Sequence, residues 1–318
     1  MEVTPGIHRI ETLLGGRLNA LYLLVGDEHA LLVDTGVAGT PREAILPYLD
    51  SIGLTPGRIR YVVITHADFD HMGGAAALRQ IVPTAAFLCH VMDRPWIESA
   101  DRLIDENYGQ FRVDHDIDET DESKAFIRAN AQGTPIDIGV TGGETIRLGA
   151  DWCVELLHTA GHTRGHLSVY DARHRAAIIT DTALWHGLVT KDGAPAFPPT
   201  YRFVDSYLSS IQRLQGLSID TLLTSHYPVQ SGPDVAAFLA ESRAYVDRVE
   251  AALRDELTRA ETPRTMRELI TALGPRLGDW ADATMLAYPL AGHLERLAQY
   301  GLVVSGRRGA VVTWRWVV

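Results

Sequence analysis

Cysteine is scarce in this chain. Two residues, Cys89 and Cys153, cannot build a disulfide framework, and both are expected as thiols in a reducing compartment, the cytoplasm. Long apolar runs are missing as well. No stretch of about 18 consecutive apolar residues could cross a membrane as a helix, so no membrane contact is expected. The opening stretch MEVTPGIHRIETLLGG lacks the basic region followed by an apolar region that marks a secretory signal. Net positive charge is also absent. The formal charge of −11 argues against broad attraction to nucleic acid or to an anionic membrane surface. What is present is a chain of 318 residues, 46% hydrophobic and 22% charged, which suffices for a packed core and is incompatible with global disorder.

The charge is unevenly spread. Residues 251–318 hold nine Arg, no Lys and seven Asp plus Glu, a balance of +2, so the first 250 residues carry −13. Residues 93–122 hold eleven acids against three Arg, a balance of −8, with Trp96, Tyr108 and Phe111 interleaved. That segment reads either as an inserted, mostly helical lid or as a solvated surface excursion. Short runs rich in apolar and β-branched residues, among them IHRIETLL, ALYLLVGD, HALLVDTG, RYVVI, TAAFLCH, WCVELLH, HLSVYDA and AAIIT, read as strands between Gly or polar turns. MGGAAALRQIV and Ser206–Leu217 read as helices. SGPD reads as a helix start with Asp234 as capping-box acid. Residues 188–205 are Pro-rich and read as a loop near a cleft.

THADFDHMGG places His66, Asp68, Asp70 and His71 within six residues, directly after a buried strand. Imidazole nitrogens and carboxylate oxygens suit borderline and hard divalent metals, and a bound cation would relieve the crowding of charge. The bland alternative for this cluster alone is an acidic turn with two capping histidines. The cluster recurs in company, however. HTAGHTRGH supplies His158, His162 and His166, AAIITDTAL supplies Asp181, and LLTSHYP supplies His226, each where an apolar strand stops.

In this order the motifs resemble the metallo-β-lactamase superfamily, whose first motif usually reads His-x-His-x-Asp-His. The resemblance starts with LVDTG around Asp34 and ends at His226, covering about residues 5–230. It implies an α+β fold, a four-layer αββα sandwich of two mixed sheets with helices outside and metals at one edge. It implies that His66 and His162 ligate a first ion and that Asp70, His71 and His226 ligate a second, with Asp181 between them. Asp34 would orient the site, and His158 and His166 would be outer groups or bystanders. Asp68 departs from the pattern, standing where most members have a second histidine. A carboxylate there could ligate the first ion and shift preference from zinc toward manganese or iron, or it could turn away. One or two divalent ions are expected, zinc foremost.

Residues 263–318 read as helix, helix and hairpin: TMRELITALG closed by Gly274, then ATMLAYPLAGHLERLAQYG, then two strand-like runs around SGRRG. This resembles a winged-helix module. The implied organisation is a catalytic domain over residues 1–232, with its acidic insertion at about 93–135, and a linking helix plus winged-helix-like domain over 233–318. Its reading as a packing or dimerisation domain that shapes the cleft is favoured over nucleic-acid contact through Arg307 and Arg308, and a homodimer stays open. The function read from these residues is metal-assisted hydrolysis of an ester, thioester or lactone-type small molecule, with Asp70 both ligating and steering the water's proton. Trp185, Tyr201 and Phe203, like the aromatics of segment 93–122, are candidate pocket residues, with ordinary core or loop packing the equal alternative for each. An endoribonuclease or phosphodiesterase using the same metals is the alternative, with a di-iron redox protein or a winged-helix regulator behind it.

Overall fold

The structure is a computed structural model, and it describes residues 1–317. Seven strands form one sheet in sequence order: β1 (Glu2–Thr4), β2 (Ile7–Leu14), β3 (Arg17–Val25), β4 (Ala30–Val33), β5 (Ile59–Val63), β6 (Ala86–His90) and β7 (Ile138–Val140). The first four pair antiparallel and the last four parallel, so the sheet is mixed. A second sheet uses β8 (Thr145–Gly149), β9 (Trp152–His158), β10 (Leu167–Asp171) and β11 (Ala176–Thr180). A small hairpin, β12 (Leu188–Val189) and β13 (Pro195–Phe197), intervenes before β14 (Thr221–Thr224) and β15 (Gln230–Ser231) close that sheet in the order β15-β14-β11-β10-β9-β8.

The period of two along each strand explains the layering. On β3 and β4, Tyr22, Leu24, Leu31 and Val33 face Val154, Leu156, Val169 and Ile178 of the second sheet. Their neighbours Leu21, Leu23, Ala30 and Leu32 face Ile45, Leu49, Ala75 and Leu78 on outer helices. On β11 the alternation repeats: Ile178 points between the sheets, while Ala177 and Ile179 meet the helix Val204–Gln215. Strands buried on both faces read as near-continuous apolar runs, which is why β3, β4 and β11 were legible. Each such Leu or Ile contributes about 1.5–3 kcal/mol of burial.

Several expectations shift in detail. The MGGAAALRQIV helix is two pieces, Phe69–Met72 and Ala75–Ile81, because Gly73 and Gly74 press against backbone carbonyls of Asn130, Phe69 and Thr35 that leave no room for a Cβ. The helix Pro233–Arg259 starts after Gly232 with no side-chain cap, so Asp234 forms no capping box. The capping box lies at Thr265 and Glu268 instead. TMRELITALG does not end at Gly274: the helix runs Met266–Leu277 through Gly274 and Pro275. After a short turn, Ala283–Leu286, and the helix Ala287–Gln299, strand β17 (Val303–Arg308) pairs with β18 (Val311–Trp316), and β18 also pairs with β16 (Arg264–Thr265). The apolar core is continuous across residue 232, joining Leu222 and Tyr227 to Val246, Leu269, Leu290 and Leu294. Both cysteines are free thiols. Among the described residues no helix is long and apolar enough to cross a membrane.

Candidate metal centre and its pocket

Parallel strands β4, β5 and the second-sheet strand β11 end at one edge, and their last residues hand the chain into polar loops. Asp34 follows β4 with a left-handed backbone, φ 65°. Its fully buried carboxylate accepts from Thr65 N at 2.7 Å, from Thr65 Oγ1 at 2.8 Å and from His71 Nδ1 at 2.8 Å. Thr65 has thereby given up its hydroxyl proton, so at 2.9 Å it accepts from His66 Nδ1. One acid therefore orients two imidazoles through their Nδ1 atoms and leaves each Nε2 turned inward, free to meet a cation.

The other two histidines are held by main-chain carbonyls. His162 Nδ1 donates to Thr200 O at 3.2 Å, and His226 Nδ1 donates to Leu18 O at 2.8 Å. Their Nε2 atoms face acids: His162 to Asp68 Oδ2 at 2.8 Å, and His226 to Asp181 Oδ2 at 3.1 Å and Asp70 Oδ2 at 3.9 Å. His66 Nε2 lies 3.5 Å from Asp68 Oδ2, and His71 Nε2 lies 3.7 Å from Asp181 Oδ1 and 4.0 Å from Asp70 Oδ2. Three overlapping sets result, His66–Asp68–His162, Asp70–His71–His226 and His66–His71–Asp181, each with its donor atoms within 4.8 Å of one another.

The electrostatics match the geometry. Burial opposes protonation of His71, yet Asp181, Asp70 and Asp34 outweigh it and push the imidazole up to about 10. His162 is likewise pushed up to about 8: burial opposes, and the bond to Asp68 overrides it. Burial would raise the Asp68 and Asp181 carboxyls, but the surrounding imidazoles hold both well below the usual carboxylate range. The cluster thus demands positive charge. His66 Nε2, His71 Nε2 and Asp181 Oδ1 are buried with no hydrogen-bond partner, which is costly unless something accepts their lone pairs. A divalent cation fits that donor set.

His158 and His166 sit outside the three sets. His166 is fully buried, its ring stacked 4.6 Å from that of His66, with Nε2 3.1 Å from Thr180 Oγ1, and burial holds it neutral. His158 stacks on His90 and meets Arg164 O.

Residues whose bracing role sequence reasoning did not assign hold the centre together. Asn19 Nδ2 donates to Asp70 O at 2.8 Å, Tyr22 donates to Thr224 O, and the buried Arg9 guanidinium donates to Tyr227 O at 2.7 Å, next to His226. Tyr108 donates to Asp68 Oδ1 at 3.0 Å and accepts from Phe69 N. Asp93 gathers Ala67 N, Thr163 Oγ1 and Gly165 N, tying the first histidine loop to the second.

The centre opens into a cavity of about 280 Å³. Its apolar wall is Phe69, Tyr108, Phe126, Ile127, Leu188, Phe197, Met285 and Tyr288. Segment 93–135 therefore covers the site, and the C-terminal residues supply part of the wall. Of the aromatics expected there, only Tyr108 faces the cavity. Tyr201 is buried, bonding His293; Phe111 packs on Tyr288; Trp96 donates to Glu106; Trp185 packs on His186 and Tyr227; Phe203 lies beneath Arg164 and Arg202.

The family model for the metallo-beta-lactamase superfamily matches residues 14–226. The chain belongs to this superfamily. An acyl-coenzyme A thioesterase of Gallus gallus is 26% identical over 226 residues, spanning 67% of this chain and 73% of the relative. A hydroxyacylglutathione hydrolase of Aeromonas salmonicida is 26% identical over 206 residues, spanning 64% and 59%. Among solved structures, a metallo-beta-lactamase family protein from Thermus thermophilus superposes with a TM-score of 0.78 at 22% identity, covering 99% of this chain and all of that one. Superfamily membership makes the chain a hydrolase-fold enzyme with a divalent metal site.

Proposed function

We propose that the protein hydrolyses an ester, thioester or lactone-type small molecule. The observation that carries this reading is the set of four imidazoles, each tied outward through Nδ1 and aimed inward through Nε2, beside a largely apolar cavity. In this reading His66, Asp68 and His162 hold one ion, Asp70, His71 and His226 hold a second, and Asp181 lies between them. Zinc is the metal proposed, with manganese or iron the alternatives that the Asp68 carboxylate brings in. A bound divalent ion supplies Lewis acidity and an acidified water.

The chain's own groups do the rest. Asp34 orients two imidazoles, Asn19 and Tyr108 hold the Asp70 and Asp68 loops, and Asp70 takes the proton of the attacking water. The apolar wall seats the acyl portion and excludes bulk water. Residues 1–232 form the catalytic domain and 233–318 a linking helix and winged-helix-like module. That module serves as a wall of the pocket. Arg307 is engaged with Asp114 and Arg308 with Glu268, which supports this role over a grip on nucleic acid.

A side-by-side panel of 4-nitrophenyl esters, acyl thioesters, lactones, phosphodiesters and β-lactams, with metal content measured on the same preparation, tests the reading. Turnover of one of the first three classes that is lost on chelation supports it. Phosphodiester cleavage with none of those activities overturns it.

A further inference from the structure

The cavity carries one permanent cation among the described residues that line it, Arg17. It sits at the start of β3, one residue before Leu18, whose carbonyl holds His226. The turn that precedes it is docked on the β12–β13 hairpin, where Lys191 N donates to Gly16 O at 2.9 Å. Its guanidinium carbon lies 4.4 Å from the centre of the Phe197 ring, so the group is held against the cavity wall rather than trailing in solvent. Arg202 and Arg307, by contrast, are paired with acids of the chain, Glu295 and Asp114. Arg17 forms no ion pair with a carboxylate among the described residues, although the Asp70 carboxylate is near enough to favour its charge.

The acids that line the same cavity are engaged elsewhere. Asp68, Asp70 and Asp181 face the histidines. Glu119 accepts from the Ser123 hydroxyl, and Asp282 caps the turn that starts at Ala283. A partly desolvated guanidinium with unused donors is a recognition element for a planar anion, which it binds through two parallel hydrogen bonds. Five acids already line the cavity and repel further negative charge, so the anion that suits Arg17 there is a monoanionic carboxylate rather than a phosphate dianion. The volume, about 280 Å³, sits at the small end of ligand pockets, which suits a short acyl chain with the carboxylate at its far end.

We propose that Arg17 determines specificity at this pocket by pairing with a carboxylate on the substrate, so that the enzyme prefers short acyl esters or thioesters that carry a free acid. The proposal rests on the hydrolase reading above and names the substrate class for the same site. Its test compares two nearly isosteric substrates, the 4-nitrophenyl monoester of glutaric acid and the 4-nitrophenyl ester of glutaramic acid, on the wild-type holoenzyme, Arg17→Ala and Arg17→Lys. The wild type favours the acid over the amide in kcat/KM. Arg17→Ala lowers that preference about 10- to 100-fold, chiefly through KM, a change of about 1.4–2.8 kcal/mol. Arg17→Lys restores part of it, which a merely structural role would not do. A preference unchanged in Arg17→Ala overturns the proposal, as does a loss that is equal for both esters and not rescued by Lys. Those outcomes leave the hydrolase reading standing. That reading fails separately, if the broader panel shows no ester, thioester or lactone turnover at all.

Discussion

Asp34→Asn probes the centre without touching a proposed ligand. The asparagine keeps the shape and tolerates the left-handed backbone at φ 65°, but it replaces one acceptor oxygen with a donor. Three donors now compete for a single oxygen: Thr65 N, Thr65 Oγ1 and His71 Nδ1. If the oxygen faces Thr65 Oγ1 and His71, the buried Thr65 amide meets an NH₂ group, at a cost of about 1–3 kcal/mol. If it faces the Thr65 amide, the NH₂ group meets His71 Nδ1 and drives the ring to its other tautomer. A proton then occupies Nε2, the atom aimed into the centre, and metal affinity falls about 10- to 100-fold. Either orientation leaves a signature, and the two are separable. Urea unfolding of the metal-free protein reads the first, and competition with a chromophoric zinc chelator reads the second. Asp34→Ala loses all three bonds and adds about 1–2 kcal/mol of left-handed strain, so it should be the less stable variant. An Asp34→Asn protein with wild-type urea midpoint and wild-type zinc affinity would refute the assignment of Asp34 as the group that orients His66 and His71.

Tyr108→Phe removes the hydroxyl between Asp68 Oδ1 and Phe69 N; it should cost about 1 kcal/mol in urea unfolding and weaken one zinc equivalent several-fold, and unchanged titration of both equivalents would remove Tyr108 from the centre. Arg307→Ala with Arg308→Ala breaks exposed ion pairs to Asp114 and Glu268, each worth less than about 1 kcal/mol; a filter-binding assay should show no RNA affinity lost, and a marked drop would revive the nucleic-acid reading. His293 is held below its ordinary value of 6.5, because burial outweighs Glu250, with Arg296 adding to the burial effect and Tyr201 on its other nitrogen. Below pH 6.5 the unfolded chain takes up a proton there that the folded protein refuses, so stability falls as pH falls, by at most about 1.4 kcal/mol per pH unit from this residue. Urea midpoints at pH 5.5 and 7.5 should converge more closely in His293→Gln than in the wild type, and equal acid sensitivity would show that His293 is charged in the fold.

The convergence of seven acids and histidines was legible because the loops that carry them follow apolar runs. Val62, Val63 and Ile64 give way to Thr65 and His66, Ile179 and Thr180 to Asp181, and Leu223 and Thr224 to Ser225 and His226. A buried strand needs apolar residues on both faces, so a polar break marks the edge at which chemistry can sit. Arg9, Asn19, Tyr108 and Asp93 were not legible, because their roles come from contacts 26 to 218 residues away and leave no local pattern. Which aromatics face the cavity was not legible for the same reason. Spacing within segment 93–122 says which residues are apolar, whereas the docking of the C-terminal helices decides which of them turn inward. Phe111 is drawn to Tyr288, while Phe126, four residues past the segment's last acid, is left at the cavity.

The uneven charge of the sequence has an internal explanation. Much of the acidity of segment 93–122 is met by cations of the chain itself. Arg102 meets Glu106, Arg112 meets Asp105 and Asp118, Lys124 meets Asp118, and Arg128 meets Asp101. From the C-terminal residues Arg267 reaches Asp116 and Arg307 reaches Asp114. Exposed pairs of this kind add little stability apiece, so they do not hold the segment down; the apolar seam does, with Phe111 edge-on to Tyr288 at 5.0 Å and Ile117 packed on the same core. What opposite charges supply along such a seam is register. Register matters here because Tyr108 and Phe126 on one side and Met285 and Tyr288 on the other form one wall. A slip of either element would move the hydroxyl off Asp68 and reshape the cavity together. The acidic segment and the arginine-rich C-terminus are therefore two halves of one cavity wall.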